Sequence, residues 1–377
     1  MGAGWGRRAL VAAIVLVVGA GVAAGASTRA GHFPVLVVGA GPSADYVLVA
    51  EGCPTLSCLV LDRFDPLSGR FTRVSRPPLA SARDSASGDL GRLVFASARL
   101  GVALVGPYGG PQMVYSTRDG ARHWRRVALA PGERAIDVAA GGGALYVVAG
   151  HCREVSGFER CHDYSLVHTS GGSGWSSAAV PNSVTVDPYP TSTGPQLGPV
   201  AVYGSRVTIA QISVGYQTPV RVSSNAGRTW TTWRIHWPTL TSVDGCVLTP
   251  SSAVALWAYC PTGMQVSLYR SGDGGRTWAA VHQQPLSGTG GGFFVPASST
   301  TAYLDYGYPR HVLYSVRAPG LRPIRVGPLP CASITSETFS DVSRGAMICT
   351  ASSSPTAVPR LVVTDDQGVN WHVIAIP

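Results

Sequence analysis

The feature that most constrains this chain is an octapeptide that keeps returning along it. The cleanest copy is Ser271-Gly272-Asp273-Gly274-Gly275-Arg276-Thr277-Trp278. It recurs as Ser223-Ser224-Asn225-Ala226-Gly227-Arg228-Thr229-Trp230 and as Thr364-Asp365-Asp366-Gln367-Gly368-Val369-Asn370-Trp371. A looser copy runs Thr117-Arg118-Asp119-Gly120-Ala121-Arg122-His123-Trp124, and a decayed one ends at Trp175 after Ser170, Gly172 and Gly174. The shared form, Ser/Thr-x-Asp-x-Gly-x-Thr-Trp, is the chemistry of a tight hairpin. The Asp or Asn side chain accepts N–H groups of its own turn, and Gly supplies a positive φ. The indole covers apolar area beneath. Asp119, Asn225, Asp273 and Asp366, with Trp124, Trp175, Trp230, Trp278 and Trp371, therefore read as turn braces.

The spacing of the copies counts the modules. The tryptophans that close the copies, Trp124, Trp175, Trp230 and Trp278, lie 51, 55 and 48 residues apart, and Trp371 follows after 93. The last interval is two steps, so one copy has eroded near 320–326, close to Tyr314–Gly320. One step before Trp124 reaches Ser68-Gly69-Arg70-Phe71. Five visible copies and two eroded ones make seven units. Between them short β runs alternate with turns. Unit two gives Leu93–Phe95, Val102–Val105, Gln112–Tyr115 and Trp124–Leu129; unit five gives Gly245–Leu248, Ala253–Tyr259, Val266–Tyr269 and Trp278–Val281. With Gly 46 and Pro 28 in 377 residues, long helices have little room. Four strands per period of ~40–50 residues indicate propeller blades. The expected fold is all-β: a seven-bladed β-propeller of four-stranded antiparallel blades, preceded by a hydrophobic signal or anchor helix. Residues 31–377 form a single propeller, with approximate blades 32–77, 78–130, 134–180, 196–238, 241–285, 290–328 and 330–377. An opening strand Pro34–Val38 and a final strand Trp371–Ile376 meet at the ring closure. Pro181–Pro199 is the longest irregular stretch.

The octapeptide resembles the Asp box, or BNR repeat, of sialidases, sortilin-type receptors and a photosystem assembly-factor family. The resemblance extends over everything after residue 32 and implies that the box lies on the C–D hairpin of each blade, remote from the ligand face. Ligands are then expected at the central channel, where D–A and B–C loops open. Ligand-face candidates are His151, Arg153, Glu154, Glu159, Arg160, His162, Asp163 and Tyr164 from one polar loop, with Tyr306 and Arg310; Arg76, Arg83, Tyr216 and Tyr308 are expected beside them. A sialidase, as the resemblance implies, needs an arginine triad begun by an early Arg-Ile-Pro, a Tyr–Glu pair and an Asp. Here the nearest strings, Arg322-Pro323-Ile324 and Pro359-Arg360-Leu361, come late and in the wrong order. None of the five glutamates (Glu51, Glu133, Glu154, Glu159, Glu337) has a matching context. No catalytic residue is assigned. The chain is more similar to stand-alone Asp-box propellers: an exported, non-catalytic binding or scaffold module for a protein, glycan or cell-wall partner. The alternative is a sialidase-like glycoside hydrolase of exo-α-sialidase type.

The amino-terminal segment sets the compartment. Arg7 and Arg8 precede the uncharged apolar run Ala9–Ala26, and Ala24-Gly25-Ala26 fits signal peptidase. The run is also near the shortest length that spans a bilayer, so residues 1–30 read as a signal peptide or a membrane anchor. Either way the remainder is exported, and only this segment touches a membrane. Export gives the eight cysteines meaning. They form four sequential couples: Cys53 with Cys58, Cys152 with Cys161, Cys246 with Cys260, and Cys331 with Cys349. Their separations are 5, 9, 14 and 18 residues. Each couple falls inside one unit, so nearest-neighbour disulfides are expected, the first two stapling B–C hairpins and the last two joining strands A and B. The pairs His151-Cys152 and Cys161-His162 match no common zinc spacing, so no metal is expected, and no cofactor. A composition of 45% hydrophobic and 13% charged residues excludes a disordered chain. All 29 basic residues are arginine and the formal charge is +9. That balance reads as compositional bias, so nucleic acid is not an expected partner, and the chain is expected to be a monomer.

Overall fold

The computed structural model describes residues 33–40, 45–50, 59–65, 70–75, 90–105, 112–155, 158–171, 174–181, 196–212, 217–236, 246–262, 265–281, 293–306, 311–339, 341–354, 357 and 359–374. The expected helix within residues 1–30 lies outside them. His32–Pro377 makes up one compact unit. Among the described residues it holds seven four-stranded antiparallel sheets, each a sequential meander.

The first sheet comprises β1 (Phe33–Ala40), β2 (Asp45–Ala50), β3 (Leu59–Asp65) and β4 (Arg70–Ser75). The second has β5 (Leu90–Phe95), β6 (Gly101–Val105), β7 (Met113–Thr117) and β8 (Arg125–Arg126). In the third are β9 (Glu133–Gly141), β10 (Ala144–Val155), β11 (Phe158–Ser170) and β12 (Ser176–Ala179). The fourth contains β13 (Gln196–Tyr203), β14 (Arg206–Ile212), β15 (Gln217–Ser223) and β16 (Thr231–His236). The fifth is built from β17 (Val247–Pro250), β18 (Leu256–Thr262), β19 (Gln265–Ser271) and β20 (Ala279–Ala280). The sixth runs through β21 (Phe294–Pro296), β22 (Thr301–Tyr306), β23 (Val312–Arg317) and β24 (Arg322–Pro328), and the seventh through β25 (Ser333–Phe339), β26 (Gly345–Thr350), β27 (Pro359–Thr364) and β28 (His372–Ile374).

First strands pack on first strands: β1 on β5, β5 on β9, β9 on β13, β13 on β17 and β21 on β25, while β1 also meets β25. This is an all-β propeller with four-stranded antiparallel blades. Alternation along a strand explains the packing, because successive side chains face two different neighbours. On β22, Ala302 and Leu304 pack with Trp257 and Leu268 of the fifth sheet, whereas Tyr303 packs with Phe339 and Met347 of the seventh. Inner strands are therefore apolar on both faces, and β6 is buried along its whole length.

The outermost strands are shorter than the sequence suggests. Trp124–Leu129 becomes Arg125–Arg126 and Trp278–Val281 becomes Ala279–Ala280, because each tryptophan belongs to the preceding turn. β18 starts at Leu256 instead of Ala253, since the Ser252 hydroxyl accepts the Ala255 N–H at 2.8 Å and holds a turn there. The opening strand spreads to Phe33–Ala40. β13 extends into the stretch expected to be irregular, starting at Gln196. Pro199 has no N–H to give, and it is accommodated by a register shift between Leu197 and Val200.

Three disulfides among the described residues join Cys152 to Cys161, Cys246 to Cys260 and Cys331 to Cys349. The first ties β10 to β11; the others tie the entry to a first strand to the second strand. The fourth expected bridge, between Cys53 and Cys58, is not among them. Both Cys53 and Cys58 fall in 51–58, between β2 and β3, outside the described residues.

Candidate functional site

The octapeptide turns repeat one set of contacts four times. The leading hydroxyl donates to the Asp or Asn Oδ1 at 2.9 Å (Thr117), 3.0 Å (Ser223), 2.8 Å (Ser271) and 2.8 Å (Thr364). The same Oδ1 accepts the N–H four residues on, at 2.9–3.0 Å, from His123, Thr229, Thr277 and Asn370. The fifth residue of each turn carries a left-handed φ: 72° at Ala121, 87° at Gly227, 93° at Gly275 and 83° at Gly368. Trp278 and Trp371 donate Nε1 to the Gly275 and Gly368 carbonyls, both at 3.0 Å. These groups are spent on their own turns, which join the third and fourth strands of their sheets. At the second eroded position the turn 318–321 still links a third strand to a fourth, while residues 66–69 of the first lie outside the described residues.

The polar loop expected from the sequence is a hairpin of different character. β10 and β11 pair from Ala144↔Ser170 to Val155↔Phe158. Pairing with β9 stops at His151↔Glu133, and pairing with β12 stops at Ser165↔Ala179. Residues 152–155 and 158–161 thus continue as a two-stranded ribbon with no further strand paired to it among the described residues, pinned by Cys152–Cys161. Its register sets like against like: His151↔His162, Arg153↔Arg160 and Glu154↔Glu159. Strand alternation puts positions 151, 153, 160 and 162 on one face, and 152, 154, 159 and 161 on the other. At its base the His151 and His162 rings are 6.1 Å apart, and Asp163 sits 3.6 Å from His162 with φ 48°. Tyr164 is buried and donates its hydroxyl to the Cys161 carbonyl at 2.7 Å. Tyr306 ends β22 in the sixth sheet, away from this hairpin in sequence and sheet, and Arg310 lies outside the described residues. Arg76, Arg83, Tyr216 and Tyr308 also lie outside them.

Two buried polar seams escape a motif search. In one, Asp137 on β9 accepts Arg92 of β5 at 2.8 and 2.9 Å and the Val200 N–H of β13 at 2.8 Å, tying three adjacent first strands. In the other, the buried His311 ring bonds Asp305 through Nδ1 and the Ala332 carbonyl through Nε2 at 3.3 Å. Glu337 on β25 is half-buried by surface yet densely enclosed; burial, then the Asp305 charge, raises its carboxyl to about 7. Tyr259 on β18 is pushed up too, by burial first and then by Asp305 and Glu337. The sequence signal for both seams is a lone acid inside an apolar β run, as in Ala-Ile-Asp-Val and Tyr-Leu-Asp-Tyr.

Compared with known proteins, no family model matches this chain, and no curated protein does. Among solved structures, a prolyl endopeptidase is similar with a TM-score of 0.60 and 10% identity, over 91% of this chain and 50% of that one. A Mycobacterium tuberculosis puromycin-hydrolyzing peptidase gives 0.57 and 12%, over 90% and 53%. YCF48 from Cyanidioschyzon merolae gives 0.47 and 14%, over 76% and 85%. The chain spans about half the length of the peptidases it matches. At such identities the likeness to them shows the fold alone.

Proposed function

We propose that this chain is an exported, seven-bladed propeller of the Asp-box type that binds a protein, glycan or cell-wall partner and performs no catalysis. In this reading residues 1–30 direct export or anchor the chain, and blades 32–77, 78–130, 134–180, 196–238, 241–285, 290–328 and 330–377 carry the ring. One observation bears most of the weight: the disulfide-pinned ribbon of 152–155 and 158–161, which continues past the pairing of its own sheet. Such an extension adds nothing to the pairing of its sheet, whereas it suits a docking element. Three disulfides among the described residues are consistent with an extracellular location. Against the hydrolase alternative, burial, and after it Asp305 and Glu337, push the Tyr259 hydroxyl up, the reverse of what a tyrosine nucleophile needs. Purified protein is expected to leave a fluorogenic sialoside intact. On a glycan array and on isolated cell walls it is expected to bind, and replacing 152–161 by Asn-Gly is expected to abolish binding without unfolding the sheets. Sialoside turnover, or unchanged binding by the shortened variant, overturns the proposal.

A further inference from the structure

A cavity of about 310 Å³ opens at the other end of the blades, between the outer edge of the second sheet and the third–fourth strand turn of the third sheet. Arg118, Arg125 and Arg126 line it with Asp119, His123 and Trp175. The three arginines are exposed and make no ion pair with any described residue. The single carboxylate present is already committed. Asp119 accepts the His123 N–H at 3.0 Å and the Thr117 hydroxyl at 2.9 Å, and its Oδ2 lies 2.6 Å from the His123 ring. Trp175 is half-buried, one side resting on the cluster of Leu100, Val102 and Val114, so its ring is fixed as a wall.

The repeat itself shows that the fold does not require these arginines. Where this copy has Arg118, the other three clear copies have Ser224, Gly272 and Asp365. Opposite Arg125 stand Thr231, Ala279 and His372, and opposite Arg126 stand Thr232, Ala280 and Val373. In this copy three arginines without an ion pair to any described residue line one cavity, at a mutual electrostatic cost. Guanidinium forks match carboxylate and sulfate oxygens, and an immobile indole offers a flat apolar face to a sugar ring. We infer that this cavity binds an anionic saccharide, its carboxylate or sulfate held by Arg118, Arg125 and Arg126 and its ring laid on Trp175. The site is separate from the ribbon 152–161, and either can fail without the other.

The test titrates the full exported chain at low ionic strength by calorimetry and by saturation-transfer NMR. The probes are trigalacturonate, a sulfated disaccharide, neutral maltotriose and inorganic sulfate. Trigalacturonate or the sulfated disaccharide is expected to bind, which of them binds tighter identifying the anion, and maltotriose is expected to be silent. The double variant Arg125→Ala, Arg126→Ala should weaken binding at least tenfold while its melting temperature holds or rises, because it relieves repulsion. Trp175→Ala should weaken the sugar but leave inorganic sulfate unchanged, with Trp175→Phe restoring most of the loss. Raising salt should weaken binding of the anionic sugars. Equal binding of maltotriose, an acidic sugar no tighter than inorganic sulfate, no binding by either anionic sugar, or undiminished binding by the arginine variant overturns the inference.

Discussion

Asp119, Asn225, Asp273 and Asp366 perform one task in four places, and Asn225 shows which part of it matters. Without a charge it still accepts the Ser223 hydroxyl and the Thr229 N–H through Oδ1, and it donates Nδ2 to the Thr229 hydroxyl at 2.9 Å. Asp273→Asn is therefore expected to cost little, under about 0.5 kcal/mol. Asp273→Ala strips several hydrogen bonds and is expected to cost about 1–2 kcal/mol by urea denaturation. Acid should act in the same direction. Slight burial raises Asp119, and likewise Asp341 in the turn between β25 and β26, but hydrogen bonds from His123 and Thr117, and from Ser343 and Arg344, outweigh it and hold both at about 2. Folded values below the ordinary carboxylate range mean that this stability is full above about pH 4 and fades as pH falls toward 2. Gly368 has a second duty besides its φ of +83°: a Cβ there would meet Leu313 Cδ2 at 2.2 Å. Gly368→Ala is expected to lower stability by about 2 kcal/mol or more, measured as a fall in melting temperature. The bonds inside the octapeptide turns were legible beforehand because they are local, written within eight residues. The Leu313 contact of Gly368 was not, nor were the Asp137 and Glu337 seams, because they join residues of different sheets.

Elements follow a similar division between what neighbours in sequence decide and what neighbours in space decide. The inner strands could be located from short apolar runs, since both faces of each are buried. The fourth strands could not be bounded, since a two-residue edge such as β8 carries no period to detect and its tryptophan is taken by the turn. The three described cysteine couples were legible because each lies within one module. They also separate structure from docking. Cys246–Cys260 joins two adjacent strands through the core cluster of Val220, Leu248 and Tyr269. Replacing both cysteines by serine is expected to remove roughly 2–3 kcal/mol by chain entropy and to lower the melting temperature measurably. The same change at Cys152 and Cys161 acts on a ribbon outside the sheet's pairing. There the expected loss falls on partner binding, with the melting temperature nearly unmoved, and a calorimetric scan beside a binding assay separates the two.

At the scale of the whole ring, the sheets are held by apolar packing interrupted by two polar seams, and the one around Glu337 makes the assembly sensitive to pH. Glu337 faces Asp305 across the contact between the sixth and seventh sheets, with Tyr259 of the fifth sheet in range and His311 bonded to Asp305. Its folded carboxyl, at about 7, lies above the ordinary 4.5, so the folded chain holds a proton there that the unfolded chain has released. Stability from this group is complete below about pH 4.5 and is lost as pH rises through about 7, a fall of about 2–3 kcal/mol at most. Glu337→Gln keeps the shape and removes the titration. The variant should match the parent near pH 4.5 and exceed it at pH 8, so that denaturation midpoints plotted against pH diverge across that window. Parallel curves would place Glu337 in contact with water and release the seam from any part in ring stability. The Asp137 seam predicts the opposite kind of effect: Asp137→Ala leaves Arg92 and the Val200 N–H without their acceptor and is expected to cost about 3 kcal/mol, because it unfastens three first strands at once.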